Sequence, residues 1–402
     1  MAVAFRKMNN KQKNMIVFLI CYIAYTSIYV ARLNLSMATP QMIAKNIISS
    51  SQIGLLNGVF FVVYAIGRFT SGELGDRLSP AVMISAGLAA CGISNVLFGF
   101  FPPFAVLIIF WAMNAFAQSM LWSSVLCSLV GTYGSEKARK MTPYMVTSVA
   151  FGNISGILLN TGLINSFGTA FAFVVPGVFT IIMSVIGFAV LRNIPASQLE
   201  TNENHLSLIK LLKESTVRNS FFAALAQGVI KDNITAWMTV YFADTFGINL
   251  SKISGFVLFI PIVGLIGRLA YPVIYNVCNE NEHKVSLIGF LISIFACGML
   301  LIQKSSPVIS IVALSLIYTA VSLINTSLLS VFPMGFVKTG NVASVSGLMD
   351  FATYFGAGIG SVIFGYTLVG LGYAFMFASW AIISVSALIP ITVLIKNRCK
   401  KI

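Results

Sequence analysis

Apolar stretches of about twenty residues recur along the whole chain, separated by short polar breaks, and this recurrence constrains the fold more than any other feature. A bilayer core about 30 Å thick needs roughly 20 apolar residues per helical crossing. About twelve segments meet that requirement, near 14–38, 51–72, 80–100, 103–130, 142–164, 170–192, 217–243, 252–276, 284–303, 307–331, 342–367 and 372–396. Most breaks carry helix-terminating residues, such as Phe101-Pro102-Pro103 and Asn165-Ser166-Phe167-Gly168. Hydrophobic residues make up 57% of the chain and charged residues 9%, whereas a soluble domain carries about a quarter charged. A globular interior could not absorb that much apolar side chain, so the lipid bilayer is the expected solvent.

The net charge of +14 resembles a nucleic-acid signal only until the basic residues are located. They sit mostly in the connections, and about eighteen of the 25 Lys and Arg fall on one side of this layout, with Lys45, Lys252 and Lys304 on the other. Cytoplasmic segments attract such residues, so both termini are expected in the cytoplasm, no nucleic-acid partner is expected, and a plasma (inner) membrane is the expected location. No small-residue cleavage site follows a short apolar core at the N-terminus, so the first segment is expected to remain as a membrane helix.

Cys21, Cys91, Cys127, Cys278, Cys297 and Cys399 are scattered without metal-type spacing, and the two histidines, His205 and His283, fall in polar connections. Neither a metal, a disulfide nor a cofactor is expected. With no HExxH, GxSxG or catalytic carboxylate pair beside a histidine, an enzyme is not expected either.

The halves repeat. Phe167-Gly168-Thr169-Ala170-Phe171-Ala172-Phe173 returns 204 residues later as Leu371-Gly372-Tyr373-Ala374-Phe375-Met376-Phe377, and Phe151-Gly152 with Gly156 returns as Phe355-Gly356 with Gly360. Ile66-Gly67-Arg68 returns 200 residues on as Ile266-Gly267-Arg268, and Arg32-Leu33-Asn34 has its counterpart 199 residues on in Lys231-Asp232-Asn233. The pattern predicts an all-α membrane protein of twelve helices in two pseudo-symmetric six-helix bundles, 1–192 and 217–402, joined by a cytoplasmic linker at 193–216. Such duplicated bundles hold a substrate between the halves near the bilayer midplane. One chain contains both halves, so a monomer is expected to suffice.

Arg32 and Lys231 lie within spans 1 and 7. A cation at a membrane helix centre costs about 2.5 to 3.5 kcal/mol, so the pair costs roughly 5 to 7, which something must offset. One compensation is an anion in a water-accessible cavity, with Arg32 offering a planar fork and Lys231 a point charge. The other is a buried carboxylate. Asp232 sits about 100° around the helix from Lys231, and Asp350 of span 11 could instead neutralise Arg68 of span 2 or carry a proton. Tyr22, Tyr25, Tyr29 and Arg32 share one face of span 1, where phenols could line the cavity or seal the bundle. Gln118, Trp122, Asn153, Asn233, Trp237, Asn325 and Tyr354 are further polar or amphipathic candidates, each of which could equally bond a neighbouring helix.

Gly72-Glu73-Leu74-Gly75-Asp76-Arg77-Leu78-Ser79-Pro80, between spans 2 and 3, resembles the signature loop of the major facilitator superfamily, with Ser79 where Gly is usual. The resemblance implies that Asp76 and Arg77 serve the conformational cycle, and Arg68, Asp232, Arg268 and Asp350 are grouped with them as conformational or coupling candidates. Within the superfamily, Tyr25-x3-Tyr29-x2-Arg32, Tyr64-x3-Arg68-Phe69, Asn114-Ala115-Phe116-Ala117-Gln118-Ser119-Met120-Leu121-Trp122 and Gly228-Val229-Ile230-Lys231 with Trp237 resemble the organophosphate:phosphate antiporters. That likeness covers nearly the whole chain and implies a phosphate clamp of Arg32 and Lys231, with Tyr64 added to the binding residues. The GWPP element is Leu121-Trp122-Ser123-Ser124 here, and the span 5 position that carries a functional His in the glycerol-3-phosphate branch is matched by Gly152.

The leading expectation is a transporter exchanging an organophosphate or sugar phosphate for inorganic phosphate by alternating access. One alternative is a proton-coupled symporter of a carboxylate using Asp232 or Asp350, which resembles the anion:cation symporters and would suit Asn34-Leu35-Ser36. Another is a non-transporting sensor of a phosphorylated metabolite.

Overall fold

The computed structural model describes residues 9–192, 208–302, 306–339 and 342–399. The first eight residues, most of the expected linker and the end of the basic tail lie outside the described residues.

Among the described residues every regular element is helical. In chain order they are α1 (Asn10–Ala44), α2 (Ser50–Arg77), α3 (Pro80–Phe98), α4 (Phe104–Ser119), α5 (Leu121–Tyr133), α6 (Ser135–Phe167), α7 (Phe171–Leu191), the short α8 (Leu208–Lys213), α9 (Ser215–Phe246), α10 (Leu250–Val277), α11 (Glu282–Ile302), α12 (Pro307–Asn325) and α13 (Val342–Cys399). Between α12 and α13 a π-helical turn, Thr326–Val331, runs into a 3-10 stretch, Phe332–Thr339. In lipid, helices are favoured because each satisfies its own backbone polar groups.

Among the described residues, ten helices are long and apolar enough to cross a bilayer. They include Ser344–Asn397 as one stretch, although Gly372 breaks it with φ 68° and ψ −176°. They omit α9, whose Lys231-Asp232-Asn233 run lowers its hydropathy. Gly372 divides α13 into two helical parts, and α9 runs for 32 residues.

The ends differ from the sequence reading in informative ways. Asn9 caps α1 by accepting from Lys11 N while Gln12 accepts from Asn9 N, so this helix starts four residues before the apolar run. Helix α2 continues through Arg77, so the signature residues Gly72 to Arg77 form its last turns and only Leu78 and Ser79 interrupt the helix. The side chains of Asp76 and Arg77 lie outside the described residues. Ser79, in the position expected to hold Gly, caps α3 by accepting from Val82 N at 3.4 Å, with Pro80 at the first helical position.

The chain forms two compact units, residues 1–48 with 66–201 and residues 49–65 with 202–402. The first half of α2 thus groups with the second unit rather than with 1–192. The reason is close backbone packing: a Cβ on Gly54 would lie 2.6 Å from Gly365 Cα, and one on Gly58 would lie 2.3 Å from a Val362 methyl.

Each unit repeats the packing of the other. In the first, α1 lies against α6 and α3 against α7; in the second, α9 lies against the first part of α13 and α11 against α13. Gly152 of α6 meets Thr26 and Tyr29 of α1, and Gly356 of α13 meets Leu225 of α9. Gly67 meets Ser119, and Gly267 meets Thr319. Gly168 and Gly372 both take a positive φ with extended ψ (97° and 171°; 68° and −176°), a conformation open to glycine and strained for other residues. The repeat is therefore a repeat of helix contacts as well as of letters.

Candidate functional site

In the first unit, Arg32 sits at the middle of α1, partly buried, with its guanidinium 5.0 Å from the centroid of the Tyr29 ring. Its Nε donates to Gln118 Oε1 at 2.9 Å. Gln118 Nε2 donates in turn to Asn114 Oδ1 at 2.9 Å, and Asn95 Nδ2 donates to the same oxygen at 3.2 Å. Asn34 Nδ2 closes the chain by donating to Asn95 Oδ1 at 2.6 Å. Five side chains from α1, α3 and α4 thus form one polar path that leaves α1 at Arg32 and returns to it at Asn34. The four amides are essentially inaccessible, at 0% or 1% exposure, so each needs its partner. The amide path fixes the direction of the guanidinium through its Nε.

Aromatic rings build the wall beside Arg32. Tyr25 meets Tyr29 edge-on at 5.5 Å and Trp122 at 4.9 Å between centroids. Tyr22, on the same face of α1, exchanges a 3.0 Å hydrogen bond with Thr147 of α6 and is a packing residue. Asn153 of α6 is half-buried.

In the second unit, Lys231 occupies the matching place on α9. Its Nζ lies 3.6 Å from Asp232 Oδ1, with side-chain exposures of 14% and 17%. Adjacent residues diverge by about 100° around a helix, yet both side chains are long enough to swing together. At 3.6 Å the contact is a loose ion pair, and Asp232 Oδ2 is buried with no hydrogen-bond donor. Lys231 Nζ also lies 5.7 Å from the Tyr354 ring centroid, and Tyr354 meets Tyr64 edge-on at 4.6 Å.

Two expected ligand-binding residues of this unit are fully buried. Asn233 is fully buried and donates to Val229 O at 2.8 Å and Ala357 O at 3.1 Å, tying α9 to α13. Trp237 is fully buried as well. Gln227 bridges Asn325 at 3.3 Å and Thr353 at 3.3 Å, so Asn325 also serves helix contact. Arg68, Arg268 and Asp350 are partly buried, Arg68 in the first unit and the other two in the second.

Asn95 is the participant that sequence reasoning passed over. The available signal was an uncharged amide alone in the apolar run Ala89–Phe98, a placement that costs free energy unless another helix supplies a partner. Among the described residues, no group of His, Cys, Asp and Glu could hold a metal ion.

Known proteins share both sequence and architecture with this chain. Residues 21–361 match the Major Facilitator Superfamily. A probable hexose phosphate transport protein of Chlamydia trachomatis is 25% identical over 325 residues, covering 72% of this chain and 71% of the relative. The membrane sensor protein UhpC of Escherichia coli is 26% identical over 311 residues, covering 71% and 69%. These names agree with the resemblance to organophosphate:phosphate antiporters. A solved bacterial homolog of the human lysosomal transporter Spinster, inward-facing and unoccupied, has a TM-score of 0.76 at 14% identity over 95% of each chain, and the nucleoside transporter NupG has 0.74 at 14% over 94% and 98%. At such identity the structural likeness speaks to fold alone. The matched profile, the duplicated helical bundles and the intramembrane cations lead to one assignment: the chain belongs to the Major Facilitator Superfamily and is a multi-pass membrane transport protein, not an enzyme.

Proposed function

We propose that this protein exchanges a sugar phosphate or related organophosphate for inorganic phosphate by alternating access, with Arg32 and Lys231 receiving the anion. The observation that carries this reading is the orientation of Arg32 by an uncharged amide path. A guanidinium held in one direction by its Nε presents a planar fork that fits phosphate oxygens. Lys231, at the symmetry-matched position, adds a point charge. The names of the relatives, a hexose phosphate transport protein and UhpC, support a phosphorylated sugar.

In the mechanism that follows, the anion meets Arg32 of the first unit and Lys231 of the second and draws the halves together. In the empty carrier the two cations repel, which disfavours their approach; a bound anion removes that repulsion, so exchange outruns net movement of one substrate. Asp232 gives Lys231 a substitute anion in the empty state. Tyr25, Tyr29, Tyr64 and Trp122 form the walls, with Gln118 fixing Arg32, and Asn153 lines the same region. Asp76, Arg77, Arg68, Arg268 and Asp350 serve the conformational cycle. The protein works as a monomer in the plasma (inner) membrane with both termini cytoplasmic.

Proteoliposomes loaded with phosphate test this. External sugar phosphate should drive phosphate efflux one for one without a pH gradient, and Arg32→Ala should abolish it in folded, inserted protein. Uphill uptake that requires a proton gradient and is lost in Asp350→Asn would replace antiport with symport. The relation to UhpC favours a second reading, a sensor. It would bind the sugar phosphate with comparable affinity and release no phosphate.

A further inference from the structure

An 840 Å³ cavity lies in the second unit, away from Lys231, among α9 and the two parts of α13 on either side of Gly372. Its walls are almost wholly apolar, with Phe222, Ile363, Ile382 and Val393 on its surface. The volume falls in the range of about 300–1,000 Å³ typical of small-molecule pockets, which a smooth lipid-facing helix surface does not offer.

Basic residues continue the helix stripes that line this cavity. On α9 the lining residues Phe222, Ala226 and Val229 follow Arg218 at steps of four, four and three, so Arg218 begins the same stripe. On α13 the lining residues Ser386, Pro390 and Val393 lead at steps of four and three to Lys396, three residues further on. Asn219 and Val393 both line the cavity, so the start of α9 and the end of α13 share its mouth. Arg218 and Lys396 are both exposed, one turn beyond the lining residues Phe222 and Val393. Two cations at the rim of an apolar groove match a molecule with one phosphate and a long hydrocarbon tail.

We propose that this groove is a site for an anionic phospholipid, with an acyl chain between α9 and α13 and the phosphate at Arg218 and Lys396. Basic residues between transmembrane helices attract such headgroups, each adding about fivefold in affinity. Neither residue belongs to the proposed phosphate-exchange site, so the inference stands apart from the transport reading.

The test is native mass spectrometry of the full chain, purified from bilayers of equal phosphatidylglycerol and phosphatidylcholine, with lipids stripped stepwise by detergent. Wild type should keep one phosphatidylglycerol after phosphatidylcholine is lost. Arg218→Gln with Lys396→Gln should reduce the preference for phosphatidylglycerol by about twenty-five-fold. Ser386→Trp, which fills the groove, should lose the retained lipid of either kind. All variants are checked by thermal unfolding, and because the charge changes are at exposed positions they keep the test open if the tryptophan variant folds poorly. Equal retention of the two lipids by wild type, or an unchanged preference in the charge variant, would overturn the proposal. A dimer that Ser386→Trp dissociates would assign the groove to a second copy of the chain and overturn it equally.

Discussion

Arg32 and Lys231 occupy matched positions in the two units, yet the side chains that hold them differ. The first unit ties Arg32 through its Nε into a path of amides that orients it. The second sets a carboxylate beside Lys231, which offsets charge and fixes direction poorly at 3.6 Å. The Asn two residues beyond each cation makes the same point: Asn34 joins the polar path, whereas Asn233 spends its hydrogen bonds on helix packing. A duplicated fold can therefore keep helix contacts in register while the chemistry on them diverges. We expect the first unit to fix where an anion binds and the second to set how readily it leaves.

The largest expected effect comes from swapping the cation types. Arg32→Lys removes the Nε donor to Gln118, and charged hydrogen bonds are worth about 1.5–3 kcal/mol, so phosphate exchange should fall about ten- to hundredfold. Lys231→Arg preserves the charge and should stay within about threefold. Equal losses would show that the two positions are functionally alike.

Packing provides the next contrast. A Cβ at position 356 would lie 2.3 Å from the backbone oxygen of Leu225, whereas one at position 152 would lie 2.7 Å from the Tyr29 Cβ. Gly356→Ala should lower stability by about 2–3 kcal/mol and Gly152→Ala by about 1–2, read from denaturation in detergent. A reversed order would mean that the α1–α6 contact yields less than the α9–α13 contact.

Asn95→Ala probes the amide path at a distance from the cation. It leaves Asn114 and Asn34 short of a partner, and phosphate binding should weaken about fivefold, near 1 kcal/mol. The smallest effect is expected for Asp232→Asn. A loose, partly exposed ion pair is worth about 0–1 kcal/mol, so phosphate affinity should rise no more than about fivefold. A fall in affinity would indicate that Asp232 positions Lys231 rather than competing with the ligand.

Much of the architecture was legible because membrane helices announce themselves by length and because the duplication writes the same glycines twice. Gly168 and Gly372 could be paired from letters alone, since each stands in a matching aromatic run. Helix ends were less legible: the α2 extension to Arg77 carries polar residues that look like a loop to a hydropathy argument, yet helical hydrogen bonding continues through them. The grouping of residues 49–65 with the second unit depends on glycine-to-glycine approach, which no local pattern encodes. Within the site, Arg32, Gln118 and the tyrosine face could be read from spacing. The burial of Asn233 and Trp237 could not, because a polar or amphipathic residue in an apolar run signals only that it needs a partner. Which partner it finds is a property of the neighbouring helix.

Equilibrium binding of inorganic phosphate, measured by calorimetry on wild type, Arg32→Gln, Lys231→Gln and the double variant, addresses the shared-anion mechanism most directly. If one anion touches both side chains, each single change should weaken binding at least about tenfold and the double variant should lose less than the product of the two. Wild-type affinity in either single variant would contradict it.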